Sequence, residues 1–335
     1  MTQAKRKDPE LESPVGAILP MGSLEAILSE AQEQVGVLPS TWLLPRKAIV
    51  DFGGRRWKVR FYPTEAEAES HEAYLRRASQ GLPMSALLGR RGACLVFAWP
   101  DIDPSPHDNF ELLAGIGEFL AGLGEMACPG TSAEALMGEL DVWLNHLEQS
   151  RLLSARSRRW VSRRLEATCP ERPRVSLEYL DAMPHNFGWI AGKLAMLDEK
   201  HLRPSFTGVG LVKPRYILPA AAYKSLRQGF ERYCSDEGRS NPDEFLELYY
   251  FVYALQFYAQ RMSEGERRLP AVARLRRYRR WLVARAAPSS LADVLENLRF
   301  IAAYPVEAVL FATSKVRFFL SGSPRLQAES PSTSP

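Results

Sequence analysis

Cysteine is scarce and unpatterned. Cys94, Cys128, Cys169 and Cys234 lie far apart with no Cys-x-x-Cys pair. That argues against a zinc ribbon or a disulfide frame and for free thiols in a reducing, cytoplasmic setting. The five histidines show no metal-ligand spacing. No run of about 18 apolar residues occurs, so no transmembrane span is expected. The first twelve residues are polar and charged and lack the apolar core of a secretory signal. No internal repeat is visible, and no glycine-rich phosphate loop precedes Ala48.

What is present is ordinary in bulk and uneven in detail. The chain is 46% hydrophobic and 24% charged over 335 residues, with a net charge of +4. That length suits one large domain or two lobes. Residues 1–22 are expected to be a disordered tail, as is 321–335, which is rich in Ser and Pro. Between them a small β-rich part is expected at 23–99 and a helical part at 100–320. A helix is expected from Ser23 to about Val35. Ala48–Phe52, Gly53-Gly54 and Arg55–Tyr62 read as a hairpin, since Gly-Gly supplies the positive φ angles of a two-residue turn. Trp57, Val59 and Phe61 alternate with Lys58, Arg60 and Tyr62, which gives one apolar face and one face bearing cations. Thr64 and Glu67 form a capping box opening a helix to about Ser79. Ala93–Trp99 reads as a buried strand closed by Pro100.

From Pro104 onward the pattern is helical. Helices are expected at about 108–124, 132–148 (capping box Thr131 and Glu134), 154–166, 219–235, 242–263 (cap Asn241), 290–303 and 305–320. Only Phe187–Ile190 and Leu194–Leu197 read as strands in this half, joined by Ala191-Gly192-Lys193. Asp181 and Asn186 therefore sit on a loop entering a small hairpin, and Asp198 at its end. Asn186 is five residues after Asp181, and Asp198 twelve after Asn186. Kinase-type phosphoryl transfer needs a carboxylate beside the acceptor hydroxyl, then an amide and a second carboxylate on Mg²⁺. A tight loop followed by a short hairpin can present those three groups at this spacing.

These motifs resemble the protein-kinase-like superfamily, specifically its small-molecule branch of aminoglycoside phosphotransferase-like and lipopolysaccharide-kinase-like proteins. The resemblance covers roughly residues 45–320 and is sharpest at 179–199. It implies an α+β, bilobal fold with a small β-rich N-lobe, a larger mainly helical C-lobe, and ATP bound in the cleft. It further implies that Asp181 is the catalytic base and that Asn186 and Asp198 are the Mg²⁺ ligands. Arg60 or Lys58 would be the phosphate-binding cation, held by Glu72 of the following helix. Leu95–Ala98 would be the hinge, with Val96 and Ala98 presenting backbone groups to adenine. The chain departs from the usual pattern at Tyr179, Met183, His185 and Glu199. Glu199 reads equally as a second metal ligand or as an exposed loop carboxylate.

The resemblance implies an ATP- and Mg²⁺-dependent phosphotransferase acting on a hydroxyl of a small molecule or glycan. The alternative is a catalytically impaired pseudokinase that docks a partner. Two basic stretches bear on this choice. Arg151–Arg164 holds six arginines, and Arg267–Arg285 holds eight with apolar residues interleaved. The second reads as an amphipathic helix. Its arginines can cover apolar surface, meet an anionic membrane peripherally or, least favoured here, bind nucleic acid. An arginine-rich helical part favours an anionic acceptor.

Overall fold

The computed structural model describes residues 23–36, 44–100, 102–103, 109–128, 130–234, 241–264 and 269–303. They form two compact units: residues up to 103 together with 185–200, and residues 109–184 together with 201–303. The expected tails and the expected helix at 305–320 lie outside the described residues.

The first unit opens with α1 (Ser23–Val35) and a four-stranded antiparallel sheet. Its strands are β1 (Arg46–Phe52), β2 (Arg55–Phe61), β3 (Leu87–Arg91) and β4 (Cys94–Ala98), in the order β1-β2-β4-β3. Gly53 and Gly54 turn the first hairpin with φ of +61° and +72°, a backbone that side-chain-bearing residues seldom adopt. Ile27, Leu28 and Ala31 of α1 pack on Ala48, Val50, Trp57, Val59 and Phe61. The other face of β2, carrying Lys58, Arg60 and Tyr62, is buried too.

Helix α2 (Glu65–Ser79) joins β2 to β3. The Oγ1 of Thr64 accepts from Glu67 N at 3.2 Å, and Ala68, His71, Leu75 and Ala78 form its buried stripe. The hairpin of β6 (Phe187–Ile190) and β7 (Lys193–Met196) belongs to this unit rather than to the helical part its sequence position suggested. Main-chain bonds hold it there: Ser85 N to Met196 O at 3.2 Å, Met196 N to Pro83 O at 3.2 Å, and Asp103 N to Trp189 O at 2.8 Å.

The second unit contains α3 (Asn109–Gly124), α4 (Ala133–Gln149), α5 (Ala155–Thr168), α6 (Val212–Ile217), α7 (Ala220–Tyr233), α8 (Asp243–Ser263), α9 (Leu269–Ala286) and α10 (Ser290–Ala303). It also contains an antiparallel pair, β5 (Val175–Tyr179) with β8 (Leu202–Phe206), that the sequence reading missed. Ser176, Glu178, Arg203, Pro204 and Ser205 interrupt the apolar pattern of these strands. Val175-Ser176-Leu177-Glu178-Tyr179 does alternate apolar and polar residues, a short strand signal that was passed over, whereas Leu202-Arg203-Pro204-Ser205-Phe206 carries a proline and no alternation; Ser176, Glu178 and Ser205 are all buried.

Helix α8 is the centre of this core and is buried on most of its circumference. Two cap expectations change. The α4 cap is Ser132, whose Oγ accepts from Ala135 N at 3.2 Å, not Thr131. Asn241 does not cap α8. Its Oδ1 accepts from Arg174 N at 3.0 Å, and its Nδ2 donates to Arg174 O at 3.0 Å and Thr207 O at 3.2 Å. Among the described residues no helix is long and apolar enough to cross a membrane.

Helices α3 and α7 meet backbone to backbone. A Cβ on Gly117 would stand 2.0 Å from Leu226 O and 2.6 Å from Phe230 N, and one on Gly229 would stand 2.0 Å from Ala114 O. Backbone cannot yield as a side-chain tip can, so Gly117→Ala is expected to cost about 2 kcal/mol or more. Gly138→Ala in α4 meets nothing within 4 Å and is expected to be neutral or stabilising. Urea denaturation of both variants checks this, and an unchanged midpoint for Gly117→Ala would refute the close approach.

Candidate active site

The candidate residues fall into one cluster in each unit. In the first unit, the two-residue period of β2 sends Lys58, Arg60 and Tyr62 to one face. There they meet the chain just beyond β7. Lys58 Nζ lies 2.5 Å from Glu199 Oε2 and 2.8 Å from Leu197 O. Arg60 donates from Nε to Glu199 Oε1 at 2.9 Å and from Nη2 to Asp198 Oδ1 at 2.7 Å. Arg60 and Glu199 are each 1% exposed.

Burial alone would raise the Glu199 carboxyl, but Lys58 and Arg60 outweigh it and hold it at about 2. Burial lowers Lys58 despite the opposing pull of Glu199. For Arg60 burial pulls downward, and Glu199 and Asp198 reverse that and raise it. The expected partner of the strand cations was Glu72. The structure corrects this: Glu72 binds Arg76 at 2.7 Å and Arg90 at 2.9 Å. The residue of α2 that faces the cluster is His71. Its Nε2 lies 3.1 Å from Glu199 O and its Nδ1 2.5 Å from the Tyr62 hydroxyl. Burial pushes the His71 imidazole down to about 4. It is therefore neutral near pH 7, donating through Nε2 and accepting from Tyr62.

Asn186 is buried, and its carbonyl accepts from Leu197 N at 2.8 Å, one residue before Asp198. The β6–β7 register thus brings Asn186 and Asp198 to the same end of the hairpin. Burial would raise Asp198, but Arg60, Lys200, Lys47 and Lys58 hold its carboxyl well below the usual carboxylate range. Its Oδ1 is engaged by Arg60; its Oδ2 takes no hydrogen bond among the described residues, and the side chain is one-third exposed. No three metal-ligating side chains stand together among the described residues. One open carboxylate oxygen, at the hairpin end that also carries Asn186, fits a hard cation that keeps most of its ligands from water and phosphate, and does not form a complete cage.

The hinge expectation changes as well. Strand β4 is interior, so Val96 pairs with Val59 on one side and Gly89 on the other. Ala98 N donates to Ala86 O at 3.0 Å, and Trp99 N to Arg56 O at 3.0 Å. The backbone of Val96 and the N–H of Ala98 are thus committed to the sheet and not offered to a base.

In the second unit, Asp181 follows β5 by two residues. Lys213 of α6 donates to its Oδ1, and His201 Nε2 lies 3.7 Å from its Oδ2. His201 Nδ1 is 2.7 Å from the Tyr253 hydroxyl. Neither Lys213 nor His201 was singled out from the sequence. Three residues before Asp181, the buried Glu178 carboxyl accepts from Ser176 Oγ at 3.0 Å, Gly208 N at 3.0 Å and Gly210 N at 3.1 Å. Gly208 has φ of +93°. Glu178 thereby ties the strand that leads to Asp181 to the turn leading into the helix bearing Lys213.

The arginine-rich stretch is covered by α9, and its first two arginines, Arg267 and Arg268, lie outside the described residues. Ala271, Val272, Leu275, Tyr278, Leu282 and Val283 are buried in the core of the second unit. Arg279 is buried and donates to Leu152 O and Glu296 O, each at 2.7 Å. The apolar side chains that a membrane would receive are already inside the protein.

Burial pushes the Glu178 carboxyl up to about 7 from an ordinary 4.5, against the pull of its three donors. A raised carboxyl contributes stability that is full below about pH 4.5 and is lost as pH rises through about 7. The stability difference between wild type and Glu178→Gln is therefore expected to fall by about 3 kcal/mol over that window. Urea unfolding of both proteins at pH 4.5 and 7.5 measures it, and a constant difference would show that Glu178 does not titrate there.

No protein-family model matches the chain, and no curated protein sequence matches it. Solved structures match it by fold. Choline kinase LicA from Streptococcus pneumoniae aligns with a TM-score of 0.58 at 13% identity, over 77% of this chain and 98% of that one. Macrolide 2'-phosphotransferase type I aligns with 0.51 at 13% identity, over 78% and 95%. A choline/ethanolamine kinase family protein from Mesorhizobium loti aligns with 0.50 at 12% identity, over 83% and 98%. With its antiparallel sheet, its helical unit and the Asp181–Asn186–Asp198 spacing, the chain has the fold of the protein-kinase-like small-molecule kinases.

Proposed function

We propose that the protein is an ATP-dependent phosphotransferase that moves the γ-phosphoryl group to a hydroxyl of a small molecule. The observation that carries this reading is the buried exchange of charge between Lys58 and Arg60 on β2 and Asp198 and Glu199 beyond β7. Two cations fixed on a rigid strand suit the phosphates of a nucleotide, and a partly exposed carboxylate beside them suits the metal that accompanies it. The fold relative LicA, also solved in complex with AMP, supports a nucleotide as ligand. Asp198 and Asn186 would hold Mg²⁺, which would supply positive charge against that of the nucleotide's phosphates. Lys58 and Arg60 meet phosphate charge, and Glu199, in place of Glu72, keeps both cations aimed. Asp181 orients the acceptor hydroxyl and takes its proton, with Lys213 as its counter-ion. The protein forms no covalent bond, so positioning and fixed charge supply the rate.

A second reading has its own observation. Asp198 is clasped by Arg60 and Asp181 by Lys213, so each functional carboxylate already has a counter-ion. A binding module on the same fold could rest in that state permanently. Thermal-shift titration with ATP, with and without Mg²⁺, separates the two. The phosphotransferase reading expects a Mg²⁺-dependent rise in melting temperature that Asp198→Ala removes. It expects Asp181→Asn to keep the rise while turnover falls by about 100-fold or more. Glu199→Gln is expected to weaken nucleotide binding by about ten-fold, and Glu72→Gln to leave it within about two-fold. A melting temperature indifferent to millimolar Mg·ATP would favour the binding module.

A further inference from the structure

We propose that the second unit carries an acceptor subsite for an anion, in which Arg274 holds a phosphate or carboxylate of the hydroxylated substrate. This rests on the reading above for the role of Asp181. From Asp181 a chain of contacts reaches the face bearing Arg274: His201 lies 3.7 Å from its Oδ2 and 2.7 Å from the Tyr253 hydroxyl, the Tyr253 ring stacks with Phe257 at 6.4 Å, and Phe257 meets Tyr258 edge-on at 5.3 Å. Tyr258 and Tyr278 stack with centroids 5.8 Å apart and planes 13° from parallel. Arg274 lies 5.8 Å over the Tyr258 ring and donates from Nη1 to its hydroxyl at 3.1 Å. Arg261 lies 5.7 Å over the Phe257 ring and 6.0 Å over the Tyr258 ring.

Charge decides what this face can take. Lys213 neutralises Asp181, and Glu139 answers Arg203. Arg274 has no carboxylate within 4.0 Å among the described residues, and its Nε and Nη2 make no hydrogen bond among them. The guanidinium is fixed by the tyrosine it lies on, with part of its planar fork still open. Such a fork binds phosphate or carboxylate through paired hydrogen bonds. A bare tyrosine cluster would suit a quaternary ammonium group. Here guanidinium groups already lie on those rings, so a cationic acceptor would meet like charge, and a neutral sugar would draw no charge attraction from the exposed Arg274. The acceptor class is a polyol bearing an anionic group at a distance from the hydroxyl that reacts.

The test is isothermal titration without nucleotide, using glucose, glucose 6-phosphate, glucuronate and choline as probes. The proteins are wild type, Arg274→Gln, and Arg280→Gln as a control for loss of one exposed arginine from the same helix. At least one anionic sugar is expected to bind about ten-fold or more tightly than glucose and choline, a margin of about 1.4 kcal/mol. That preference is expected to weaken with salt, vanish in Arg274→Gln and persist in Arg280→Gln. Glucose 6-phosphate against glucuronate tells which anion the fork prefers. No preference for either anion, or a preference that survives Arg274→Gln, overturns the proposal. An anion preference in a protein that never transfers phosphate from Mg·ATP would leave the subsite standing and remove the phosphotransferase reading. Turnover on neutral or cationic acceptors would do the reverse.

Discussion

Two positive and two negative side chains meet in the first unit, all buried but Asp198, and much of that unit follows from their mutual need. Lys58 and Arg60 lie on a strand whose opposite face is already in the apolar core. Neither could be buried alone, because an unpaired charge removed from water costs several kcal/mol. Glu199 answers both cations, and Asp198 answers Arg60 a second time. The hairpin that delivers these carboxylates is thereby held to the sheet by charge as well as by main-chain bonds. His71 completes the arrangement as a neutral group, its two nitrogens satisfied without adding charge.

The second unit treats its own carboxylates differently. Asp181 is partly exposed and held by a cation from a neighbouring helix, while Glu178 is fully enclosed and held by backbone N–H groups. The first remains available for chemistry; the second organises chain. Their separation by three residues on one strand and loop means that the same segment supplies a reactive group and the anchor of the turn that faces it. Asn241 does related work nearby, joining Arg174 and Thr207 through one amide.

Much of this was legible from the chain. The Gly53-Gly54 hairpin, the helix opened by Thr64, most C-terminal helices and the approach of Asn186 to Asp198 follow from turn chemistry, caps and spacing. The partner of the strand cations did not, because a family habit pointed to Glu72. The local pattern held the better signal: Ala68, His71, Leu75 and Ala78 form the apolar stripe of α2, and Glu72 lies off it. A histidine within an apolar stripe marks the inward position. Glu199 was ambiguous because burial of a loop carboxylate depends on cations 139 and 141 residues away. Strand β5 alternates apolar and polar residues and was readable, though short, while β8 was hidden by Pro204 and its adjoining polar residues. For Arg267–Arg285 the reading of arginines laid over apolar surface fits best: the described apolar residues of α9 pack into the core, and Arg279 is buried with them.

The first unit is discontinuous along the chain, and this has a bearing on how the protein is made. When the ribosome has released residues up to 103, β2 has its neighbours and α1 its sheet, but the counter-ions of Lys58 and Arg60 do not yet exist. They arrive only with residues 198 and 199, after three long helices of the other unit have been synthesised. The small sheet can assemble early in outline, yet it cannot enclose its charged face until a later stretch returns to it. Completion of the first unit is thus timed by the second, and a fragment ending before residue 198 lacks an internal means of closing the face that bears its two most buried cations.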